Sequence, residues 1–372
     1  MAEIIPDIPK LSYRNYKNVI QYWGFFTKEE IETNKGKLLM MDIDFGRYCS
    51  LNCPTCFRKS NIVDDSEAGD LSYDELLFVI DEARELGLRT IKICGAGEST
   101  QNTKFFGFVR ELDKRGIGVS IFTKGQVLGD DEEAKKFYRS YGISSAKELC
   151  QEFFKLKVSF MLSFQSFDTN KQDQLVGKEG HALIRNQALA NLIEAGFNSC
   201  NPTRLALVNA PITRTVYNEV LAIYAYARER NIYPVIAALM VSGKQINKEY
   251  LEKCDLTEEQ KIDLWTKIYE WNIKHGVQTL DEIRRQGASA MPGIHSCNQI
   301  ACGLYLTANG NVVGCPGFNK VEGNVKRESI KDIWERSQNF KMRRGVFNCH
   351  CPPKDGITLP DNLYKKVLAN LE

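Results

Sequence analysis

The chain has 372 residues, 43% of them apolar, with 49 Lys and Arg against 47 Asp and Glu. That length fits one large domain or a large and a small one, and the balanced charge argues against a nucleic-acid groove or a polybasic membrane anchor. No apolar run approaches the ~18 residues of a spanning helix, and the opening MAEIIPDIPK lacks a signal-peptide layout, so the expectation is a cytoplasmic chain with neither nucleic-acid nor membrane partner.

Residues 1–37 form an N-terminal extension. LLMMDIDF (38–45) is the first strand. A helix begins after Ser72, with Ser72 and Glu75 in capping-box spacing, and ends at Gly87. TIKIC (90–94) is the second strand, FFGFVRELDKRG (105–116) a helix and GVSIFT (118–123) the third strand. Residues 130–156 are charged and read as one or two helices on an insertion. VSFMLSF (158–164) is the fourth strand, followed by the helix HALIRNQALANLIEAG (181–196). TRLALV (203–208), a helix over 216–230 and YPVIAALM (233–240) complete the alternation. Six apolar strands separated by helical periodicity give an α/β chain with a parallel sheet over 38–240. Six units are too few for a closed eight-stranded barrel, so an open or partial (β/α)6 barrel is expected. Residues 241–290 read as a helical linker, with EEQKIDLWTKIYEWNIKHG (258–276) its clearest piece. From 291 to 372 come short strands, Gly, Pro and cysteine, the composition of a small metal-stapled domain.

Twelve cysteines are many for a reducing compartment, where clustered thiols bind metal or do chemistry more often than they form disulfides. Cys94, Cys150, Cys200 and Cys254 are scattered, and their default reading is small buried hydrophobes. The other eight fall into two groups.

The front group, in FGRYCSLNCPTCFRKS, sets Cys49, Cys53 and Cys56 in CxxxCxxC spacing directly after the first strand. Three thiolates on one short loop can hold three irons of a [4Fe–4S] cubane, whose fourth iron is then open. A structural zinc site would want a fourth Cys or His in register, and no His lies near. This motif in this place resembles that of the radical S-adenosylmethionine (SAM) superfamily, a resemblance that covers about residues 38–240. It implies that SAM chelates the open iron and that an electron from a flavodoxin- or ferredoxin-type reductant releases a 5′-deoxyadenosyl radical. That radical takes a hydrogen from the substrate. Thr55 stands where the family usually has an aromatic residue, and Phe57 follows in its stead.

The resemblance extends to the strand ends. CGAGEST (94–100) matches the family's Gly-Gly-Glu-Pro motif at Gly95, Gly97 and Glu98, with Ala96 and Ser99 as departures. Glycines allow a close backbone approach, and a carboxylate suits the methionine ammonium. In FTKG (122–125), Lys124 departs from the family's Thr-Asn-Gly, and no role is implied there. Ser163 and Gln165, with Asp168, end the fourth strand, where such barrels build their sites; they resemble the family's ribose-contacting positions, against a plain helix-capping loop. Arg204, in the fifth strand, would be an expensive buried charge unless paired. By resemblance it faces the methionine carboxylate, the alternative being a structural ion pair.

The back group comprises Cys297, Cys302, Cys315, Cys349 and Cys351. GLYLT, ANGN and VVGC spell a β-hairpin with an Asn-Gly turn between Cys302 and Cys315. The layout resembles the SPASM and twitch extensions, where such a hairpin supports an auxiliary [4Fe–4S] cluster. Five thiols are too few for two full cubanes, so a twitch-like domain with one auxiliary cluster is expected, completed by Cys297 and one of Cys349 and Cys351. A zinc knuckle using His350 is the alternative.

The expected function is hydrogen abstraction from a small polar metabolite (a sugar, aminocyclitol or nucleoside) with net oxidation through the auxiliary cluster. A peptide maturase is the alternative substrate reading; the short extension before the first strand leaves little room for a separate leader-binding domain. Redox-neutral epimerisation would need a spare thiol in the pocket, for which Cys254 is the catalytic candidate. A non-enzymatic iron–sulfur electron carrier does not explain an open iron beside the GAGE turn.

Overall fold

The structure is a computed structural model that describes residues 8–10, 17–56, 69–95, 97–242, 248–293, 297–318, 320–337 and 350–372. Phe57, Ala96 and Cys349 lie outside the described residues.

The six apolar runs become parallel strands β1 (Met40–Ile43), β2 (Thr90–Ile93), β3 (Gly118–Thr123), β4 (Ser159–Ser163), β5 (Leu205–Asn209) and β6 (Tyr233–Ile236). Each pairs with the next in chain order. Three further strands, β7 (Gly303–Leu306), β8 (Asn311–Val313) and β9 (Val321–Asn324), extend the same sheet. β7 lies parallel to β1, with Met40 opposite Gly303 and Asp42 opposite Tyr305, and β8 and β9 follow antiparallel. The C-terminal hairpin thus caps the edge of β1, which would otherwise leave unpaired backbone groups. The join is sealed by Asp44, which accepts from the Tyr305 hydroxyl (2.6 Å) and the Ala308 amide (3.2 Å).

Helices cover one face of the sheet: α1 (Tyr73–Glu85), α2 (Phe105–Lys114), α3 (Asp131–Tyr138), α4 (Ala146–Lys155), α5 (Thr169–Val176), α6 (His181–Glu194) and α7 (Val220–Arg228). α1 starts at the expected capping box of Ser72 and Glu75. Strand side chains alternate between faces. Ile91, Ile121, Leu162 and Leu207 join the helices in the larger core. Met161, Ala206, Val208 and Val235 face the other way, into the lumen. Helices α8 (Lys248–Cys254), α9 (Glu258–Lys274), α10 (Ile330–Arg336) and α11 (Leu363–Leu371) complete the chain. Among the described residues no helix is long and apolar enough to cross a membrane.

The N-terminal extension has a structural task that its sequence did not announce. Ile20 bridges Thr203, just ahead of β5, and Tyr22 lies against Gly118 at the start of β3. Both contacts are at the amino ends of the strands. Trp23 packs on Phe25 and Phe122, each at 5.6 Å, and Phe25 on Tyr233 at 5.7 Å. These rings run up the lumen from that end: Tyr233 opens β6, whereas Phe122 is the last residue but one of β3.

Candidate functional site

The loop after β1 carries Cys49, Cys53 and Cys56, all half-buried. Its shape is set from below by the loop after β2. A Cβ at Gly97 would lie 2.8 Å from the carbonyl oxygens of Gly46 and Tyr48, and one at Gly95 1.5 Å from Asp44 Oδ1. The Glu98 amide donates to the Tyr48 carbonyl at 2.8 Å. Both glycines are therefore required because one loop rests on the other, a reason distinct from the approach to a ligand. Gln101 fixes Ser50 from two sides, accepting from its amide (3.0 Å) and donating to its hydroxyl (2.9 Å). The Asn52 amide donates to Val176 at the end of α5, and the Cys56 amide to the Cys53 carbonyl.

Glu98 is buried at the carboxyl ends of β2 and β3. It accepts from the hydroxyls of Thr100 (2.6 Å) and Thr123 (2.7 Å) and from the Lys124 amide (2.8 Å). Burial pushes its carboxyl above the usual range, and these bonds oppose that. Three donors leave room for a fourth on its two oxygens. The Lys124 ammonium donates to Ser163 Oγ at 2.7 Å, so the departure from the family's turn places a cation at the strand ends, beside Glu98. Gln165 is buried with its amide carbonyl oxygen unpartnered among the described residues. Asp168 caps α5 by accepting from the Lys171 amide, which is the plain role open to it.

Helix α6 adds two groups that sequence reasoning missed. Arg185 is fully buried, stacked 3.6 Å over Phe164, and donates to Gln172 Oε1 and the Ser166 carbonyl. Among the described residues no carboxylate lies within 4.0 Å of it. His181 is also fully buried, with both ring nitrogens unpartnered among the described residues. Burial first, then the cations Lys124, Arg185 and Lys178, hold its ring down at about 3. Gln126 and Gln172 add further unpartnered amide atoms nearby. A signal for Arg185 was available: it falls on the apolar stripe of Ala182, Ala188 and Leu189.

Arg204 does not stand where its expected role needs it. The strand begins at Leu205, two residues later than the expected 203–208, and Arg204 lies just ahead of it at the amino end of β5, opposite to Glu98 and Lys124. Its guanidinium lies 3.8 Å over Phe154 and 5.3 Å from Phe197, donating to the Phe154 carbonyl (3.0 Å) and to Cys200 Sγ (3.2 Å). Its partners among the described residues are aromatic faces, a backbone carbonyl and a thiol, with no carboxylate within 4.0 Å.

In the back group, Cys302 and Cys315 are buried, and Cys297 and Cys351 half-buried. Cys302 ends a helical turn and leads into β7, and Cys315 follows β8. Burial is the main cause that raises the thiols of Cys302, Cys315 and Cys351 above the usual cysteine range, and in each the charge of Cys297 adds to it. Cys297 thus lies within electrostatic reach of the other three, and Cys315 of Cys351. Asp355 organises the last, accepting from the Cys351 amide (2.8 Å) and pairing with His350 Nδ1 (2.6 Å). That engagement turns one His350 nitrogen away from a metal. Among the described residues, no three of His, Cys, Asp or Glu stand as a preformed ligand set. The donor sets still have the right chemistry: three thiols on one loop, and four thiols that are buried or half-buried. Cys254 lies at the end of α8, half-buried, within electrostatic reach of the Tyr250 hydroxyl.

A family model for the radical SAM superfamily matches residues 43–205, and one for the SPASM iron–sulfur cluster-binding domain matches 297–352. The tungsten-containing aldehyde ferredoxin oxidoreductase cofactor-modifying protein of Pyrococcus furiosus is 37% identical over 84 residues, which cover 22% of this chain and 23% of that protein. The AdoMet-dependent heme synthase of Methanosarcina barkeri is 21% identical over 331 residues, covering 84% of this chain and 86% of that one. Among solved structures, anSMEcpe with bound AdoMet superposes with a TM-score of 0.59 at 16% identity, over 90% of this chain and 95% of that one. The same protein with AdoMet and the Cp18Cys peptide gives 0.56 at 15% identity over the same shares. These two are likenesses of fold.

Proposed function

The chain belongs to the radical SAM superfamily and carries a SPASM iron–sulfur domain, and from that premise we propose that it dehydrogenates a small polar metabolite. The cofactor pair, SAM on a [4Fe–4S] cluster, supplies when bound a 5′-deoxyadenosyl radical able to take a hydrogen atom from carbon. In this reading Cys49, Cys53 and Cys56 hold the cluster, and Gly95 and Gly97 keep their loop in place. The observation that carries the reading is the charge arrangement at the strand ends. One buried carboxylate, Glu98, lies beside the ammonium of Lys124, with the guanidinium of Arg185 behind β4. An amino-acid zwitterion is the ligand complementary to that set. Glu98 accepts from its ammonium, Lys124 and Arg185 take its carboxylate in place of Arg204, and Ser163 and Gln165 face the sugar.

The substrate reading rests on the lumen. Trp23, Phe25, Phe122 and Tyr233 fill the lumen from its amino-terminal end as far as Phe122, the residue before Thr123, so a substrate would lie beyond them, where Lys124, Ser163 and Gln165 offer polar atoms. These suit a molecule rich in hydroxyl or amino groups. Cys297, Cys302, Cys315 and Cys351 would saturate an auxiliary cluster, which supplies a one-electron acceptor; the substrate then loses two electrons and two protons in total. Reconstituted protein, with reductant and SAM in deuterium oxide, is offered panels of polyols, aminocyclitols, nucleosides and short peptides. A metabolite product two mass units lighter, without solvent deuterium, is expected. Turnover of peptides alone overturns the substrate class. One deuterium at an inverted centre, lost in Cys254→Ala, overturns dehydrogenation in favour of epimerisation.

A further inference from the structure

Lys354 is a buried cation whose partner is not supplied by the carboxylates around it. Its side chain is 7% exposed, and its ammonium donates to the Ala238 carbonyl at 2.8 Å. Among the described residues no carboxylate lies within 4.0 Å of it. An ammonium removed from water without an opposing charge costs several kcal/mol or gives up its proton. The groups that do face it are thiols. Cys351 is three residues away in a tight turn, where the amides of Lys354 and Asp355 donate to the Cys351 carbonyl. Its neighbour Pro353 packs against the Cys315 loop, since a Cβ at Gly317 would lie 3.0 Å from Pro353 Cβ and 3.6 Å from Cys315 Sγ. Burial pulls the Lys354 ammonium below the usual lysine range, and the charges of Cys351, Cys315 and Cys297 are the leading causes that oppose it, ahead of the more distant Asp255.

A second lysine gives the contrast. Lys92 also lies within electrostatic reach of Cys297 and Cys302. It is neutralised by Asp42, its partner across the β1–β2 register, at 3.0 Å. The Lys92–Asp42 pair carries no net charge, Lys92 acting on Cys302 and Asp42 on Cys315, whereas Lys354 has no ion-pair partner among the described residues.

We propose that Lys354 is the counter-charge of an iron–sulfur cluster held by Cys297, Cys302, Cys315 and Cys351, and that it raises the reduction potential of that cluster. This rests on the assignment of those four thiols made above. A cubane with four thiolates is an anion, and its potential is set by net charge, hydrogen bonding and burial around the sulfurs. A fixed positive charge in a low-dielectric wall favours the more negative, reduced form. Lys354 is a positioning and tuning residue, and the backbone bond to Ala238, at the end of the barrel's last strand, holds its charge in place.

The test uses full-length protein in which Cys49, Cys53 and Cys56 are Ala, so that only the back cluster is seen. Its midpoint potential is followed by electron paramagnetic resonance during a redox titration. A protein that folds but holds no iron defeats the four-thiol assignment itself. With the cluster present, Lys354→Met and Lys354→Gln are expected to move the midpoint to lower potential, and Lys354→Arg to stay near the parent. The joint change Asp42→Asn with Lys92→Met is expected to leave it unmoved. Folded Met and Gln variants that lose the cluster while Arg keeps it also support a counter-charge. An unshifted midpoint in the Met and Gln variants, or an Arg variant that falls with them, overturns the inference.

Discussion

The two cysteine groups are built in opposite ways. The front three arrive within eight residues of one loop (49–56), and that loop is shaped by backbone contacts with its neighbours in the sheet. The back four come from separate segments between 297 and 351, drawn towards one another by the pairing of β7 with β1 and by the last segment, which packs on the loop after β8, without a preformed ligand set among the described residues. A local motif can be read by spacing, whereas a collected one depends on topology. The surroundings differ as well. Polar atoms without partners among the described residues follow β3 and β4 and start α6, at Gln126, Gln165 and His181. The back thiols are buried or half-buried, with the cations Lys92 and Lys354 within electrostatic reach. The first environment suits a site that takes in a ligand, the second a saturated redox centre.

The largest effects come from removing one group and sparing the other. Reconstituted wild-type protein should carry about 8 iron and 8 sulfide per chain, one cubane for each group. With Cys49, Cys53 and Cys56 all changed to Ala, about 4 of each should remain, and reductive cleavage of SAM to 5′-deoxyadenosine should vanish. Changing Cys302 and Cys315 to Ala should also halve the iron, yet leave that cleavage measurable. Equal loss of cleavage in both proteins would erase the distinction between the groups.

A smaller effect tests whether the front region is a ligand site. In Glu98→Ala an incoming ammonium loses a charge-assisted hydrogen bond worth roughly 1.5–3 kcal/mol. SAM affinity, read by equilibrium dialysis, should fall about 10- to 100-fold. The variant also strips the hydroxyls of Thr100 and Thr123 of an acceptor, so a thermal melt should accompany it. Wild-type affinity would remove Glu98 from the site.

His181 sharpens the contrast in protonation. Its folded pKa is lowered to about 3 by burial and neighbouring cations, while an unfolded histidine titrates near ~6.5. Between those values the unfolded chain binds the extra proton, so stability falls as pH drops through that window. At pH 5 the loss is about 2 kcal/mol relative to pH 7. Denaturant melts at the two pH values should show it, and His181→Gln should flatten that part of the dependence. An unchanged slope in the variant would mean that His181 finds a proton acceptor in the folded chain.

Much of this was legible beforehand, for identifiable reasons. The six strands were found because buried parallel strands are continuous apolar runs, and β3 matches its expected bounds residue for residue. The hairpin followed from its Asn-Gly turn, but nothing in GLYL says that it will lie along β1. Edge pairing is a property of the assembled sheet. Trp23 and Phe25 looked like ordinary apolar residues of an extension, and their packing in the lumen needs Phe122 and Tyr233, a hundred and two hundred residues on. Lys124 was visible as a departure from a pattern, yet its value came only from its nearness to Ser163 and Glu98.

Arg204 shows how the end of a strand at which a residue stands decides its functional reading. Placed inside the strand, it is a charge that needs a ligand. Placed one residue before Leu205, it belongs to the amino end, where its guanidinium lies on Phe154 and answers that residue's carbonyl. Methionine keeps the length and the apolar stem while removing the charge and the donors. Arg204→Met should therefore cost about 1–2 kcal/mol of stability, from a lost cation–π contact and a backbone carbonyl left to find another partner. SAM affinity should be unchanged, because the residue faces away from Glu98 across the length of the sheet. The pair of measurements is decisive in either direction. A stable Arg204→Met protein with weakened cofactor binding would put this side chain back at the carboxyl ends and overturn the strand boundary itself.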